Sequence, residues 1–432
     1  MTACSPCRET AGIKKSRRLI FARTQFHGHP FLACCEEENG KLCRILPVRT
    51  DLADRTGCIY AGQVEKISAD TNAAFIRIGA QLRGYLDLKG SDRAIRADGK
   101  DDVPGESPLR SGECILVQFR SEAIRGKLPS LSICLDFPGK YLVLTVPGEG
   151  TGVSKKLDKE QRTLLRARID ELLKNTDLQG MPVFGLTVRT NAAQASMAQL
   201  AEEFEELLQT MLRTVRDGRH RAFGSVVLRP DSGAVRFLIE EPLSDVFDIV
   251  TDDASLVCTI EQFLRSGVSG NGQGVRLYSD TLLPLDRLYG IPSLLEEIQK
   301  EKVWLKSGAF LVIQQTEAFV SIDVNSGKHT GKQHGGDDGI FEKINQEAAV
   351  EIVRQVRLRN LSGIILVDFI NMKDPSARER LLDLMRSLTK KDRTRFEALD
   401  FTSLQIMELV RQKKSPSLAE TLKKLVDEPA EN

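Results

Sequence analysis

Three side chains stand out for their type and spacing. Asp323 and Asn325 lie two residues apart in Phe-Val-Ser-Ile-Asp-Val-Asn, and Asp368 closes Gly-Ile-Ile-Leu-Val-Asp. Val320, Ile322 and Val324 alternate with Ser321, Asp323 and Asn325, the pattern of a strand with one buried face, so Asp323 and Asn325 share a side. Residues 364–367 are continuously apolar, which predicts a central strand covered on both faces with Asp368 near its C-terminal end. In a parallel α/β layer, strand ends are where polar groups converge on a ligand. Two carboxylates about 4 Å apart repel by roughly 4 kcal/mol at an effective dielectric near 20, so they call for a cation or a shared proton. A hard divalent metal fits, with Asn325 as a neutral orienting or ligating oxygen. The plainer reading is a buried structural aspartate pair.

These strands need a scaffold. The expected crossover is a helix over 341–361, with Ile344, Ala348, Ile352 and Val356 as its buried stripe and Gly363 as its stop. Arg354, Arg357 and Arg359 fall mostly off that stripe, on a solvated face or against phosphates. A helical piece over 294–300 and a hairpin (303–305, 310–314) precede the Asp323 strand. After Asp368, Asp374-Pro375 reads as a helix start. A strand over 395–399, a helix over 403–412 and a polar tail complete the reading. His329 and His334, in a loop rich in Gly, Lys and His, match no zinc-ligand spacing.

The 432 residues exceed one ordinary core, so two to four domains are expected. A net charge of +1 excludes a generic polycation, and any nucleic-acid binding must come from local patches. No apolar run approaches the roughly 18 residues of a membrane span, and no apolar signal core opens the chain. The nine cysteines are an odd number and scattered, which points to reduced thiols and a cytoplasmic location. Cys4 and Cys7 form a lone C-x2-C in a tail without periodicity.

Residues 18–49 read as three short strands (19–22, 30–35, 42–48). From Gly57, short strands punctuated by glycine suggest a small closed barrel. Phe75 and Tyr85 fall on different strands, near Arg77, Arg83 and Lys127 in sequence. Together they make either a stacking platform for single-stranded nucleic acid or a portion of the barrel core. From 137 the pattern turns α/β: a strand (141–146), a helix (158–175) and a strand (183–188) ending in Arg189-Thr190. An arginine and a hydroxyl at a strand-to-helix junction suit a phosphate, or simply a surface ion pair and a cap. A helix over 192–217, strands over 224–229 and 235–240 and a helix over 256–266 follow. The glycine-rich stretch 267–274 is not placed as a dinucleotide fingerprint, and Gly327-Lys328 lacks the earlier glycine of a P-loop.

Ser-Ile-Asp-Val-Asn-Ser-Gly from Ser321, Asn-Gln-Glu-Ala-Ala from Asn345, Arg-Gln-Val-Arg-Leu-Arg-Asn-Leu-Ser-Gly from Arg354 and Val-Asp-Phe-Ile from Val367 together closely resemble the catalytic core of the ribonuclease E/G family. That resemblance implies an α/β multidomain fold, with RNase H-like and DNase I-like subdomains, an inserted OB-fold barrel and an α/β 5′-sensor region. The implied division is a disordered tail (1–17), a first RNase H-like segment (18–54), an RNA-binding barrel (55–135), a 5′-sensor region (136–221), a second RNase H-like segment (222–290), a DNase I-like catalytic subdomain (291–417) and a polar tail (418–432).

The resemblance also implies a magnesium-dependent, single-strand-specific endoribonuclease. It would leave 5′-phosphate and 3′-hydroxyl ends at A/U-rich sites, in processing or decay of rRNA and mRNA. Asp323 and Asp368 match the family's magnesium ligands and Asn325 its orienting asparagine. The implied chemistry is in-line attack of an activated water on the scissile phosphorus. Phe75, Tyr85 and Lys127 match the barrel's RNA contacts, Tyr85 replacing the usual phenylalanine. Arg189 and Thr190 match the 5′-monophosphate site, with Gly139 and Val143 as backbone contributors. Lys155 stands where an arginine is common, and lysine cannot grip a phosphate bidentately. Relatives commonly carry Cys-Pro-x-Cys after the segment matching 408–412, as a zinc link between protomers. Here Ser415-Pro-Ser-Leu-Ala follows without cysteine, so zinc is not expected there and a homo-oligomer would need another contact. The competing reading is a non-catalytic RNA-binding protein on the same scaffold.

Overall fold

The computed structural model describes residues 17–49, 55–80, 82–97, 107–121, 128–230, 233–241, 246–265, 274–327, 338–372 and 374–427. The expected N-terminal tail with Cys4 and Cys7, Lys127, His329, His334 and most of the glycine-rich stretch lie outside the described residues. The chain divides into two compact units, one of Met1–Leu52, Val246–Val257 and Gly274–Asn432, the other of Ala53–Asp245 and Cys258–Gln273. Within the second of these units, Val226–Leu228 pairs with the barrel strand Ile59–Ser68.

In the first unit, Arg17–Phe26, His29–Glu38 and Lys41–Arg49 form an antiparallel meander, extended in parallel by Val246–Thr251 and Val275–Leu277. Its second turn, Asn39-Gly40, has both residues at positive φ, as a tight two-residue hairpin requires. The second sheet runs Lys302–Trp304, Phe310–Gln315, Phe319–Asn325, Gly363–Asp368, Ile406–Arg411, Phe396–Phe401. Helices Asp338–Leu358 and Pro375–Thr389 cover one face, where Ile322, Val324, Ile365 and Val367 meet Ile344, Ile352, Leu381 and Met385. Asp374 caps the second helix by accepting from Ser376 N at 2.9 Å.

Four expectations give way here. The opposite face of the sheet is open at Ile364, which is 52% exposed, so this strand is not covered on both sides. Residues 403–412 are not a helix, because Ile406–Arg411 pairs antiparallel with both Gly363–Asp368 and Phe396–Phe401. Residues 235–240 are mostly helical (Gly233–Ile239), and burial of nearly every side chain there erased any period. The tail expected from 418 begins as a helix, Leu418–Asp427, whose Leu418, Leu422 and Leu425 pack beside Leu42 and Ile45.

In the second unit, strands Ile59–Ser68, Ala73–Arg77, Arg83–Asp87, Ser130–Ser132 and Cys114–Ser121 close a five-stranded barrel, the first pairing with the last. A four-stranded sheet follows, in the order Thr151–Val153, Gly185–Val188, Leu142–Val146, Leu135–Pro138. Helices Lys159–Lys174 and Met197–Arg219 bury Leu165, Ile169, Leu200, Phe204 and Met211 in the core it shares.

Candidate active site

Phe319–Asn325 and Gly363–Asp368 are parallel neighbours, and Asp323 stands directly opposite Asp368 in their register. Adjacent strands lie about 4.8 Å apart. With Ile322, Val324 and Val367 turned into the core, both aspartates leave the open face side by side, and both are exposed. Asn325 emerges on the same face and donates Nδ2 to Asp323 Oδ2 at 2.6 Å, which fixes the rotation of that carboxylate. Gly327 then turns the chain at φ 65°, where a Cβ would run into the Gly308 carbonyl. Among the described residues no lysine or arginine pairs with either aspartate. Two adjacent, uncompensated carboxylates repel, and one divalent cation relieves both charges, so the residues present fit a hard metal.

Asn345 supports this site, although nothing in the sequence reading marks it as a functional side chain. It is buried on the crossover helix, donates Nδ2 to Ile370 O at 2.8 Å and accepts from Ile370 N at 3.1 Å. That two-point clamp holds the backbone just beyond Asp368. The available signal is an amide beside Ile344 on an apolar stripe, since a buried amide needs partners.

On the barrel, Phe75 lies directly across from Tyr85, and both point outward because Ala74, Ile76, Gly84 and Leu86 fill the interior. Tyr85 is 37% exposed, which excludes the core reading for its ring. Arg77 lies 4.6 Å over the Phe223 ring and donates to Gln63 Oε1 at 2.7 Å. Arg83 pairs with Glu65 at 3.1 Å. Phe223 and Gln63 escape sequence reasoning, since Gln63 meets Arg77 only through the register of Ile59–Ser68 with Ala73–Arg77, and Phe223 arrives from a distant segment that the Gly224 amide ties to Ala61 O.

At one end of the four-stranded sheet, Arg189 donates Nη1 to Gly139 O at 3.4 Å and Nη2 to Ile239 O at 2.9 Å. Its own amide donates to Tyr141 O at 2.7 Å. Burial lowers the Arg189 pKa against the opposing pull of Glu240 and Glu203. The Thr190 and Ser154 hydroxyls are 3.0 Å apart, and the exposed Lys155 follows Ser154. Gly139, Lys155, Arg189 and Thr190 are thus gathered, while Val143 lies one register step inward, opposite Thr187. The helix expected from Ala192 is split into a short 3-10 turn, Thr190–Gln194, and Met197–Arg219. Glu203, also missed by the sequence, accepts from the amides of Lys140, Tyr141 and Leu142 at 2.9, 2.8 and 2.7 Å. Burial raises its pKa, opposed by those amides and by Arg189.

The three helix arginines are structural, not poised for phosphate. Arg354 binds Glu351 and Leu42 O, Arg357 pairs with Glu36 and Glu38, and Arg359 donates to Gln355 Oε1. Glu36, Glu38 and Cys43 are the one group of three potential metal ligands gathered among the described residues. Arg17, Arg393 and Arg357 lie 2.7, 2.6 and 3.4 Å from the Glu36 carboxylate, so its charge is already met by guanidinium. Burial pushes the Glu36 pKa up, but Arg393, Arg17, Arg357 and Arg44 outweigh it and bring it down to about 2. Burial raises the Cys43 thiol to about 12, helped by Glu36, which disfavours the thiolate a metal would need.

Fold and site define an α/β protein in two compact units, with a closed barrel in one and an acidic pair on an open sheet face in the other. Residues 136–414 match the model of the Ribonuclease E/G family, and the chain belongs to that family. It is similar to Ribonuclease E of Synechocystis sp., 30% identical over 375 residues, covering 85% of this chain and 54% of that protein. Ribonuclease E of Escherichia coli K12 is 30% identical over 373 residues, covering 84% of this chain and 34% of the relative. Ribonuclease G of the same organism is 28% identical over 378 residues, covering 85% and 74%. The chain therefore spans about half the length of the first of these relatives and a third of the second.

Proposed function

We propose that this chain is a magnesium-dependent endoribonuclease that cuts single-stranded RNA and leaves 5′-phosphate and 3′-hydroxyl ends, in cytoplasmic RNA processing or decay. The observation that carries the proposal is the placement of Asp323 opposite Asp368, with Asn325 bonded to one of them and no cation on either among the described residues. Asp323 and Asp368 hold the metal. Asn325 keeps the Asp323 carboxylate turned toward it, and the Asn345 clamp keeps the Asp368 strand end in place. When bound, the metal supplies charge compensation at the scissile phosphate and lowers the pKa of a water nucleophile. The open sheet face leaves an extended strand room to lie across the pair.

In this proposal Phe75 and Tyr85 stack RNA bases on the barrel, supported by their paired, outward rings. Lys127 is carried as a further RNA contact on the resemblance alone. Arg189 and Thr190, with Gly139, Val143 and Lys155, receive a 5′-monophosphate, supported by the bond of Arg189 to Gly139 O and of Thr190 to Ser154 beside Lys155; Val143 is included on the resemblance alone. The barrel is read as an OB-fold, the meander sheet as RNase H-like and the acidic sheet as DNase I-like. The test is incubation with a 5′-monophosphorylated, A/U-rich single-stranded RNA and magnesium, with end-group analysis of products. Cleavage by the wild type, lost in Asp323→Asn and Asp368→Asn, is the expected result. RNA bound but uncut supports the non-catalytic reading instead.

A further inference from the structure

On the open face of the acidic sheet, the edge strand Lys302–Trp304 and its neighbour Phe310–Gln315 carry an aromatic pair with a cation set on it. Trp304 is the chain's single tryptophan and is 64% exposed. Its ring centroid lies 5.2 Å from that of Phe310 with the planes at 58°. Lys302 Nζ sits 4.1 Å from the Trp304 centroid and 3.7 Å from that of Phe310. Register fixes the location: Trp304 is opposite Phe310, and Phe310 is opposite Asn325. Phe310 is thus one strand spacing, about 5 Å, and Trp304 two, about 10 Å, from the strand of Asp323.

Packing does not account for this cluster. Val303, Leu305, Leu311 and Ile313 supply these strands' core contacts from the other face. A lysine alone suffices to blunt an edge strand, and an exposed tryptophan works against that purpose. Among the described residues, no carboxylate pairs with Lys302. An exposed indole, a tilted second ring and an unpaired ammonium beside an acidic pair match an unpaired nucleobase and its phosphate. One aromatic pair matches a base in size, and the cation complements a polyanion, which favours RNA over a second protein.

We propose that Trp304, Phe310 and Lys302 form a stacking subsite for one unpaired nucleobase flanking the scissile phosphate, with Lys302 taking that nucleotide's phosphate. The subsite rests on the endoribonuclease reading and adds to it a local reason for single-strand preference, because a paired base has no free face to offer. Trp304 being the only tryptophan, its emission reports the subsite directly. The full chain is titrated in EDTA with a short 5′-monophosphorylated A/U-rich RNA, single-stranded or annealed to its complement, while anisotropy of a labelled copy reports total binding. The expected result is quenching by the single strand at the anisotropy midpoint and little by the duplex. Trp304→Ala should weaken single-strand binding about tenfold, the order of one stacked base, and raise KM with kcat kept. Trp304→Phe should recover most of the loss. RNA binding with unchanged emission, or Trp304→Ala binding as tightly as wild type, overturns the subsite and leaves the nuclease reading standing. Emission that changes with protein concentration alone overturns it in favour of self-association. Absence of RNA binding, together with absence of cleavage in magnesium, removes both.

Discussion

Asn325 spends its amide on Asp323, at 2.6 Å, and it can do so only because a strand's period of two puts both on one face. Removing that bond leaves the two carboxylates in place but frees one to rotate. Asn325→Ala should therefore retain the fold, need more magnesium for half-maximal rate and lose about 10–100-fold in activity, the usual effect of an outer-shell partner. A magnesium titration of the cleavage rate checks it, and an unchanged midpoint and rate would remove the orienting role. Arg189→Ala should narrow the preference for 5′-monophosphorylated over 5′-hydroxyl RNA by roughly tenfold or more, the worth of a charge-assisted hydrogen bond. Paired rate measurements on the two RNAs decide it. At this scale the shared side of Asp323 and Asn325 was readable, because alternation orients them; the side of Asp368 was not, because 364–367 are continuously apolar and only the register with the Asp323 strand places it. Asn345, Glu203 and Trp304 were not, because their meaning lies in Ile370, the Lys140–Leu142 amides and Phe310, contacts that only the fold creates.

Elements were legible where one face is polar and the other is not. The Asp323 strand came through on that contrast, while the three N-terminal strands came through as short runs between polar turns and the second helix through its Asp374-Pro375 start. The contrast failed where the acidic sheet's open face is itself apolar. Val410 is exposed there opposite Ile364, so Ile406–Arg411 shows no alternation and mimics a helix. The C-terminal helix Leu418–Asp427 was lost for another reason. Its leucines, at 418, 422 and 425, keep helical spacing, but charged residues between them dominate the composition. Leu422 is fully buried against the meander's core, so Leu422→Ala should destabilise the protein by about 2–5 kcal/mol. Denaturant unfolding measures this directly, and a change under about 0.5 kcal/mol, ordinary for a surface site, would contradict the packing.

Within the first compact unit, Glu36 ties the meander to the crossover helix through Arg357 and to the segment after the second helix through Arg393. Removing one partner of a buried charge cluster leaves guanidinium groups uncompensated, so Glu36→Gln should cost about 3–5 kcal/mol. The folded pKa is about 2, below the ordinary 4.5, so this contribution is fully present above the ordinary value. It is lost as pH falls through the folded one. Wild-type stability should thus decline between about pH 4.5 and 2, and Glu36→Gln should show a shallower decline in acid unfolding. The same carboxylate engages Arg357, while Arg354 is met by Glu351 and Arg359 by Gln355, so the three helix arginines are internal instead of solvated or on phosphate. For the molecule as a whole, the central claim is that Asp323 and Asp368 together would hold the divalent metal that RNA cleavage requires. The most direct measurement is the magnesium dependence of cleavage of a 5′-monophosphorylated A/U-rich RNA by wild type and Asp368→Asn. The account predicts a saturable, magnesium-dependent rate in the wild type and a loss beyond the roughly 100-fold of outer-shell changes in the variant. Equal rates in the two proteins, or cleavage indifferent to magnesium, would contradict it.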